Sequence, residues 1–178
     1  MRRTTALILA LILAIAPLPA LAAETPSALM DFVQNALESE KGLIYEKEED
    51  YFTLLFEADD PRLGRVLVYV DVYQSGILVT SCCEQPLPTE AIDEAIRFVN
   101  LMNSDALGGK YYVDPESGYV YYEEFFSDSL LDVPDAQSLL LDTIYVAEAE
   151  LDYDVDYFME LIGGETAENA FAMYLADH

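Results

Sequence analysis

The sequence predicts a single α+β domain: an antiparallel sheet of about five to six strands with helices packed on one face. Three observations predict it. Apolar residues first recur at three and four, then at every second position, and later return to the helical period. The period-two stretches are short and bounded by turn residues. They come in groups, with helical stretches between the groups, which is the order of an antiparallel α+β sheet rather than of repeated βαβ units.

Thr25-Pro26 reads as a helix start, a capping residue followed by proline in the first turn. Leu29, Phe32, Val33, Ala36 and Leu37 give that helix one apolar face to about Lys41, and Gly42 stops it. Leu43-Ile44-Tyr45 opens a strand. In the next strand Phe52, Leu54 and Phe56 oppose Tyr51, Thr53 and Leu55. After the turn Asp59-Asp60-Pro61, Val66, Val68, Val70 and Val72 line one face, opposite Leu67, Tyr69, Asp71 and Tyr73. Gln74-Ser75-Gly76 turns the chain into Ile77–Cys83, completing a meander. Pro86 and Pro88 end it, Thr89 caps a second helix with the stripe Ile92, Ala95, Ile96, Val99 and Met102, and Gly108-Gly109 stops that helix. A hairpin follows, Lys110–Asp114 and Tyr119–Phe126 around Pro115-Glu116-Ser117-Gly118. One long helix then runs from Pro134, with Ala136, Leu139, Leu140, Ile144, Ala147, Leu151, Val155, Phe158 and Ile162 on its apolar side, to Gly163-Gly164. Thr166 to Leu175 adds a further helical turn or two.

The first residues have the parts of a secretory signal in order. Arg2 and Arg3 precede the apolar run Ala6 to Ala16, Pro17 and Pro19 break it, and Ala20-Leu21-Ala22 supplies a small-x-small cleavage site. An uncleaved anchor is the rival reading; extending the run to Ala23 passes through both prolines, whereas a spanning helix wants about 20 consecutive apolar residues. The expected organisation is a signal peptide over 1–22, a short flexible lead over 23–25, the α+β domain over 26–164, and a short C-terminal helix and tail over 165–178. The expected location is secreted or extracytoplasmic, in the periplasm or cell envelope, without membrane insertion after cleavage.

Residues 1–22 hold two of the 8 basic residues and none of the 34 acidic ones, so the remainder carries a formal charge of −28. A polyanion of that size repels nucleic acid and anionic lipid, and it favours solubility. Basic peptides, wall cations or divalent metal are the partners such a charge tolerates.

The second half resembles a known family. The helix ending in Val99-Asn100-Leu101-Met102-Asn103-Ser104 leads into Gly108-Gly109-Lys110-Tyr111-Tyr112-Val113-Asp114, then Pro115-Glu116-Ser117-Gly118-Tyr119-Val120-Tyr121-Tyr122 and a long final helix. Its entry is Gln85-Pro86-Leu87-Pro88. This is similar to the YbjN-like family, labelled as sensory transduction regulators, over about residues 26 to 164. The resemblance implies a fold like that of type III secretion chaperones, dimerisation, and peptide or protein binding by analogy. It carries no catalytic residues across, and the signal peptide sets this chain apart from cytoplasmic members.

Catalytic constellations are sparse. The single histidine, His178, is the last residue, so a Ser-His or Cys-His pair would require the tail to dock. Both glycine pairs read as helix stops, not phosphate loops. Carboxylates are too numerous for any pair to be selected for glycoside cleavage. Asp152, Asp154 and Asp156 alternate like the start of a calcium loop, but the sixth position is Tyr157 and the twelfth Gly163, and alternate helical residues do not converge. No cofactor and no metal site is expected, weak delocalised calcium aside. Cys82 and Cys83 are adjacent, which strains a vicinal disulfide; two separate thiols pointing to opposite faces are preferred, with an intermolecular disulfide or a redox switch as alternatives.

The candidate binding surface is aromatic. Tyr69, Tyr73, Tyr119, Tyr121 and Phe125 fall on one sheet face by alternation, while Tyr112 and Tyr122 are assigned to other faces or edges. Tyrosine-rich surfaces bind through area plus a hydroxyl. The opposing expectation is that the last helix or a second copy covers this face. Two function classes follow: a non-catalytic extracytoplasmic module holding a peptide or protein, regulatory or chaperone-like, with the homodimer that the resemblance implies; and an extracytoplasmic carboxylate-dependent hydrolase acting on glycan or peptide.

Overall fold

The computed structural model describes residues 26–58, 60–62, 64–106 and 108–177. The expected signal peptide, lead and Thr25 cap, and His178, lie outside the described residues. Helix α1 (Pro26–Ser39) precedes four strands, β1 (Tyr45–Lys47), β2 (Tyr51–Glu57), β3 (Arg65–Tyr73) and β4 (Gly76–Cys83). Helix α2 (Thr89–Asp105), the hairpin β5 (Lys110–Val113) and β6 (Val120–Ser127), and a short 3-10 turn (Asp128–Leu130) follow. Helices α3 (Ala136–Tyr153), α4 (Val155–Ile162) and α5 (Ala167–Asp177) complete the described chain. The fold is α+β, as expected: one six-stranded antiparallel sheet in the order β1-β2-β3-β4-β6-β5, with helices on one face.

Tight turns set the register. Tyr73 pairs with Gly76, so Val72, Val70, Val68 and Val66 meet Ile77, Val79, Ser81 and Cys83 on one face. Phe52 and Leu54 of β2 extend that face opposite Val70 and Val68. On the far side Phe126 and Tyr122 of β6 lie opposite Ile77 and Ser81. Helix α3 packs over β3, β4 and β6, α1 packs on α3 and β3, and α2 packs on β5. Phe52, Phe98, Ile77, Leu140 and Ile144 are fully buried between these layers. Burying each such side chain contributes about 1.5–3 kcal/mol.

Two glycines are required by close approach. Gly118 ends the β5–β6 turn with φ +78°, and a Cβ there would lie 2.6 Å from the Leu87 carbonyl oxygen. The same turn is tied to the β4–α2 link by the Leu87 N–H donating to the Gly118 carbonyl at 2.9 Å. Gly109 was expected only to stop α2; a Cβ on it would lie 2.3 Å from the Tyr122 ring, so it also makes room for that buried tyrosine. Helix α2 already ends at Asp105, with Ala106 as its cap.

The sheet edge at β5 is closed by a side chain. The Asn103 amide of α2 donates to the Tyr111 carbonyl at 2.7 Å and accepts from the Tyr111 N–H at 2.8 Å. A single asparagine thus satisfies both outward backbone groups of Tyr111 and occupies part of the edge that another strand would use.

Several expectations need correction. Thr89 is the first helical residue, not the cap; Pro88 occupies that place with no side-chain cap bond. The third helix begins at Ala136, after Asp135 in a left-handed turn at φ 64°, and not at Pro134. It does not run unbroken to Ile162. Asp154 interrupts it, with φ −95° and ψ 3°, and turns its carboxylate inward to accept the Tyr111 hydroxyl at 2.5 Å. The apolar stripe shifts accordingly: Leu141 and Leu161 are buried, while Leu139 and Ile162, expected inside, are partly exposed. Helix α5 is three turns long, and its Ala167 and Ala170 are buried where it packs on α2 and α4. Its first N–H, on Ala167, donates to Glu94 of α2 at 2.8 Å, an acidic cap supplied by a neighbouring helix.

The open face of the sheet as candidate functional site

Strand alternation puts a second set of side chains on the face away from the helices, and no described helix packs there. Cross-strand pairing arranges them in rows. Leu55, Leu67, Cys82, Tyr121 and Tyr112 form one row across five strands. Glu46, Thr53, Tyr69, Thr80, Glu123 and Lys110 form the next. Tyr51, Asp71, Leu78 and Phe125 form the third. Tyr73 continues the same face beyond Asp71.

The five residues singled out from the sequence therefore meet on this face, with Tyr119 placed by alternation and by ring contact. Its ring lies 6.4 Å from that of Tyr121. Tyr112, assigned to another face or an edge, is on the edge strand β5 but on this same face: it stands opposite Tyr121 with ring centroids 6.0 Å apart and is half exposed. Tyr122 does lie on the covered face, buried against Tyr111 at 5.0 Å. Leu78 and Tyr112 were missed because their side is fixed by register. The two-residue turn Gln74-Ser75 pairs Tyr73 with Gly76, and counting back from it sets Leu78 opposite Asp71. The same count from the Asp114–Gly118 turn would have placed Tyr112 opposite Tyr121.

Tyr73, Tyr112, Phe125 and Leu55 are each about half exposed. Leu55, Leu67, Cys82, Tyr121 and Tyr112 form one apolar row, Leu78 and Phe125 the apolar end of another, and the more polar row of Tyr69 runs between them; large apolar groups this open are of the kind that marks contact surfaces. Burial by neighbouring side chains raises the Tyr69 hydroxyl and pushes that of Tyr121 up to about 12. Both are neutral at physiological pH and serve as hydrogen-bonding groups on an apolar surface.

The cysteines divide between the two faces. Cys82 lies between Leu67 and Tyr121 on the open side, and Cys83 lies opposite Val66 on the covered side. Both are free thiols and buried. Burial pushes Cys82 up to about 11 and Cys83 up to about 12, so neither is an appreciable thiolate at neutral pH. Opposite orientation on adjacent strand residues is the geometry of two separate thiols.

The acidic trio near the helix break does not converge. Asp152 accepts the Asp60 N–H at 3.0 Å, Asp156 pairs with Arg62 at 2.6 Å, and Asp154 points inward to Tyr111. Arg62 also pairs with Asp60, whose carboxyl it holds down at about 2. These contacts fasten the β2–β3 loop to the α3–α4 junction beside a groove of about 450 Å³ lined by Asp60, Glu148, Asp152 and Tyr153. Among the described residues no group of three or more His, Cys, Asp or Glu is placed to hold a metal ion. No helix among them is long and apolar enough to cross a membrane.

A second carboxylate cluster lies on the helix side. The Tyr111 hydroxyl donates to the Glu150 carbonyl at 3.0 Å and to Asp154, and Glu124 of β6 is raised by burial and by the nearby Glu150 charge. No protein-family model matches the chain, and no curated protein matches it.

Proposed function

We propose that the protein is an extracytoplasmic, non-catalytic binding module of the YbjN-like type that holds a peptide or protein partner on the open sheet face. One observation carries this reading. A six-stranded sheet has a complete apolar core on one side, and the other side still presents a continuous row of aliphatic, thiol and aromatic side chains from Leu55 to Tyr112, with none of the described helices over it. A fold needs only one buried sheet face; the second costs solubility unless something uses it. The heavy negative charge keeps the unliganded protein dispersed. The signal-like residues 1–22 support an extracytoplasmic location, and the motif residues around Asn103 and Gly118 support the family assignment.

The test is Tyr69→Ala combined with Tyr121→Ala. Partner capture from the cell envelope, or self-association in sedimentation, falls by at least tenfold while the thermal melt stays cooperative. Each aromatic at a contact centre is worth about 1–2 kcal/mol or more. A variant that unfolds, from a monomeric parent that captures nothing, removes the proposal.

A carboxylate-dependent hydrolase is the second reading, and Glu124 favours it: a carboxyl raised by burial beside another carboxylate is how general acids are prepared. Glu124→Gln abolishes any glycan or peptide hydrolysis by the purified protein if this reading holds.

A further inference from the structure

The open face contains one group that an apolar docking surface does not need. Asp71 stands in the middle of β3, facing away from the helices, and it is partly buried. It lies directly opposite Tyr51 of β2. Tyr69 and Tyr73 flank it at the second position on either side along its own strand, on the same face. Opposite neighbours have Cβ atoms about 4.5–5.5 Å apart. The carboxylate is thus bordered by three tyrosine rings.

Among the described residues the Asp71 side chain has neither an ion pair nor a hydrogen bond. The basic residues on the sheet strands are committed elsewhere. Lys47 donates to Gln34, Arg65 pairs with Glu84, and Lys110 donates to the Asn103 and Ala106 carbonyls. Burial raises Asp71 above the usual carboxylate range, and the nearby Asp50 charge adds to that. A partly desolvated carboxylate is costly without a cation, and a cation beside it would recover that cost.

We infer that Asp71, bordered by Tyr51, Tyr69 and Tyr73, is a receptor for an arginine side chain of the partner peptide. This rests on the open-face reading above and adds the chemistry of the partner. Arginine fits better than lysine, because a planar guanidinium stacks on aromatic rings and meets a carboxylate through two parallel hydrogen bonds. Leu78, opposite Asp71 on β4, and Phe125 beside it on β6 accept a neighbouring aliphatic residue of the same peptide, and the acidic surface around them attracts a basic partner.

The experiment is calorimetry at pH 7 with the synthetic peptide acetyl-Gly-Leu-Arg-Leu-Gly-amide and its twin carrying citrulline, a neutral isostere, in place of arginine. The expected result is at least tenfold tighter binding of the arginine peptide to the native protein. Asp71→Asn reduces its affinity to that of the citrulline peptide, whereas Asp71→Glu, which keeps the charge, retains most of it. Diffuse attraction to the acidic surface would barely respond to one lost charge, so a tenfold loss locates the site. Binding of the arginine peptide also weakens as pH is lowered and Asp71 takes up a proton. Equal affinity for both peptides, or no binding of the arginine peptide, overturns the arginine receptor. Equal affinity that disappears in the Tyr69→Ala, Tyr121→Ala variant overturns it while leaving the open face as the docking surface. Binding unchanged in both variants places the peptide elsewhere and removes both readings.

Discussion

Tyr121 and Tyr122 are neighbours in sequence and differ in almost everything else. Tyr122 is on the helix side, buried against Tyr111 and accommodated by Gly109. Tyr121 is on the open side, between Cys82 and Tyr112, with none of the described helices over it. The same contrast runs along β3, where the four valines are buried and Leu67, Tyr69, Asp71 and Tyr73 are not. Strand propensity cannot separate the two sets, since valine and tyrosine are both good strand residues. What separates them is the layer packed above. One face holds the fold together; the other has no layer packed on it among the described residues.

The largest break between the two faces is expected from truncating them. Phe52→Ala opens a cavity in a fully buried site and costs about 3–5 kcal/mol, whereas Phe125→Ser on the open face costs under about 1 kcal/mol. Urea unfolding of the two variants measures the difference; equal losses would mean that both faces are core.

Next in size is Tyr111→Phe. It removes the hydroxyl that donates to the buried Asp154 and to the Glu150 carbonyl, and the expected loss is about 1–3 kcal/mol. The sheet edge gives a smaller effect. Asn103→Ala frees both backbone groups of Tyr111 and costs about 1 kcal/mol, and amide exchange at Tyr111 quickens more than at Val120.

The thiols sharpen the comparison without touching stability much. Cys82 lies among the side chains of the open face, beside Tyr121, so Tyr69→Ala with Tyr121→Ala speeds its alkylation by about tenfold or more as the thiol is uncovered and its pKa falls from about 11. Cys83, beneath the helices, keeps its slow rate. Acceleration of both would mean that the whole sheet has loosened.

The smallest effect is in pH dependence. Asp71 and Glu124 are both raised by burial, so the folded state binds their protons more tightly than the unfolded chain does. Their contribution is favourable below the unfolded carboxylate range, about pH 4, and is lost as pH rises through the raised folded values. Asp71→Asn and Glu124→Gln flatten that part of the curve and leave stability at pH 7 equal or slightly higher. A decrease at pH 7 for Asp71→Asn would show that the carboxylate already has a stabilising partner.

The amino-acid sequence by itself determined the fold class, the strand pairs joined by tight turns, and the side of the sheet on which each β3 residue lies. These follow from local rules: alternation within a strand, the 3.6 period of a helix, and turn chemistry at Gly76 and Gly118. The open aromatic face was legible for Tyr69, Tyr73, Tyr119, Tyr121 and Phe125 for the same reason. Only the tertiary structure decided that β6, not β5, lies beside β4, because pairing across an intervening helix leaves no local signal. It also decided the break at Asp154. Nothing in the helical period forbids aspartate there; the break exists because Tyr111, 43 residues earlier, offers its hydroxyl to a carboxylate that could not otherwise be buried. The setting of Asp71 is of the same kind. Its side of the strand was readable, but Tyr51 came opposite it only through the β2–β3 register.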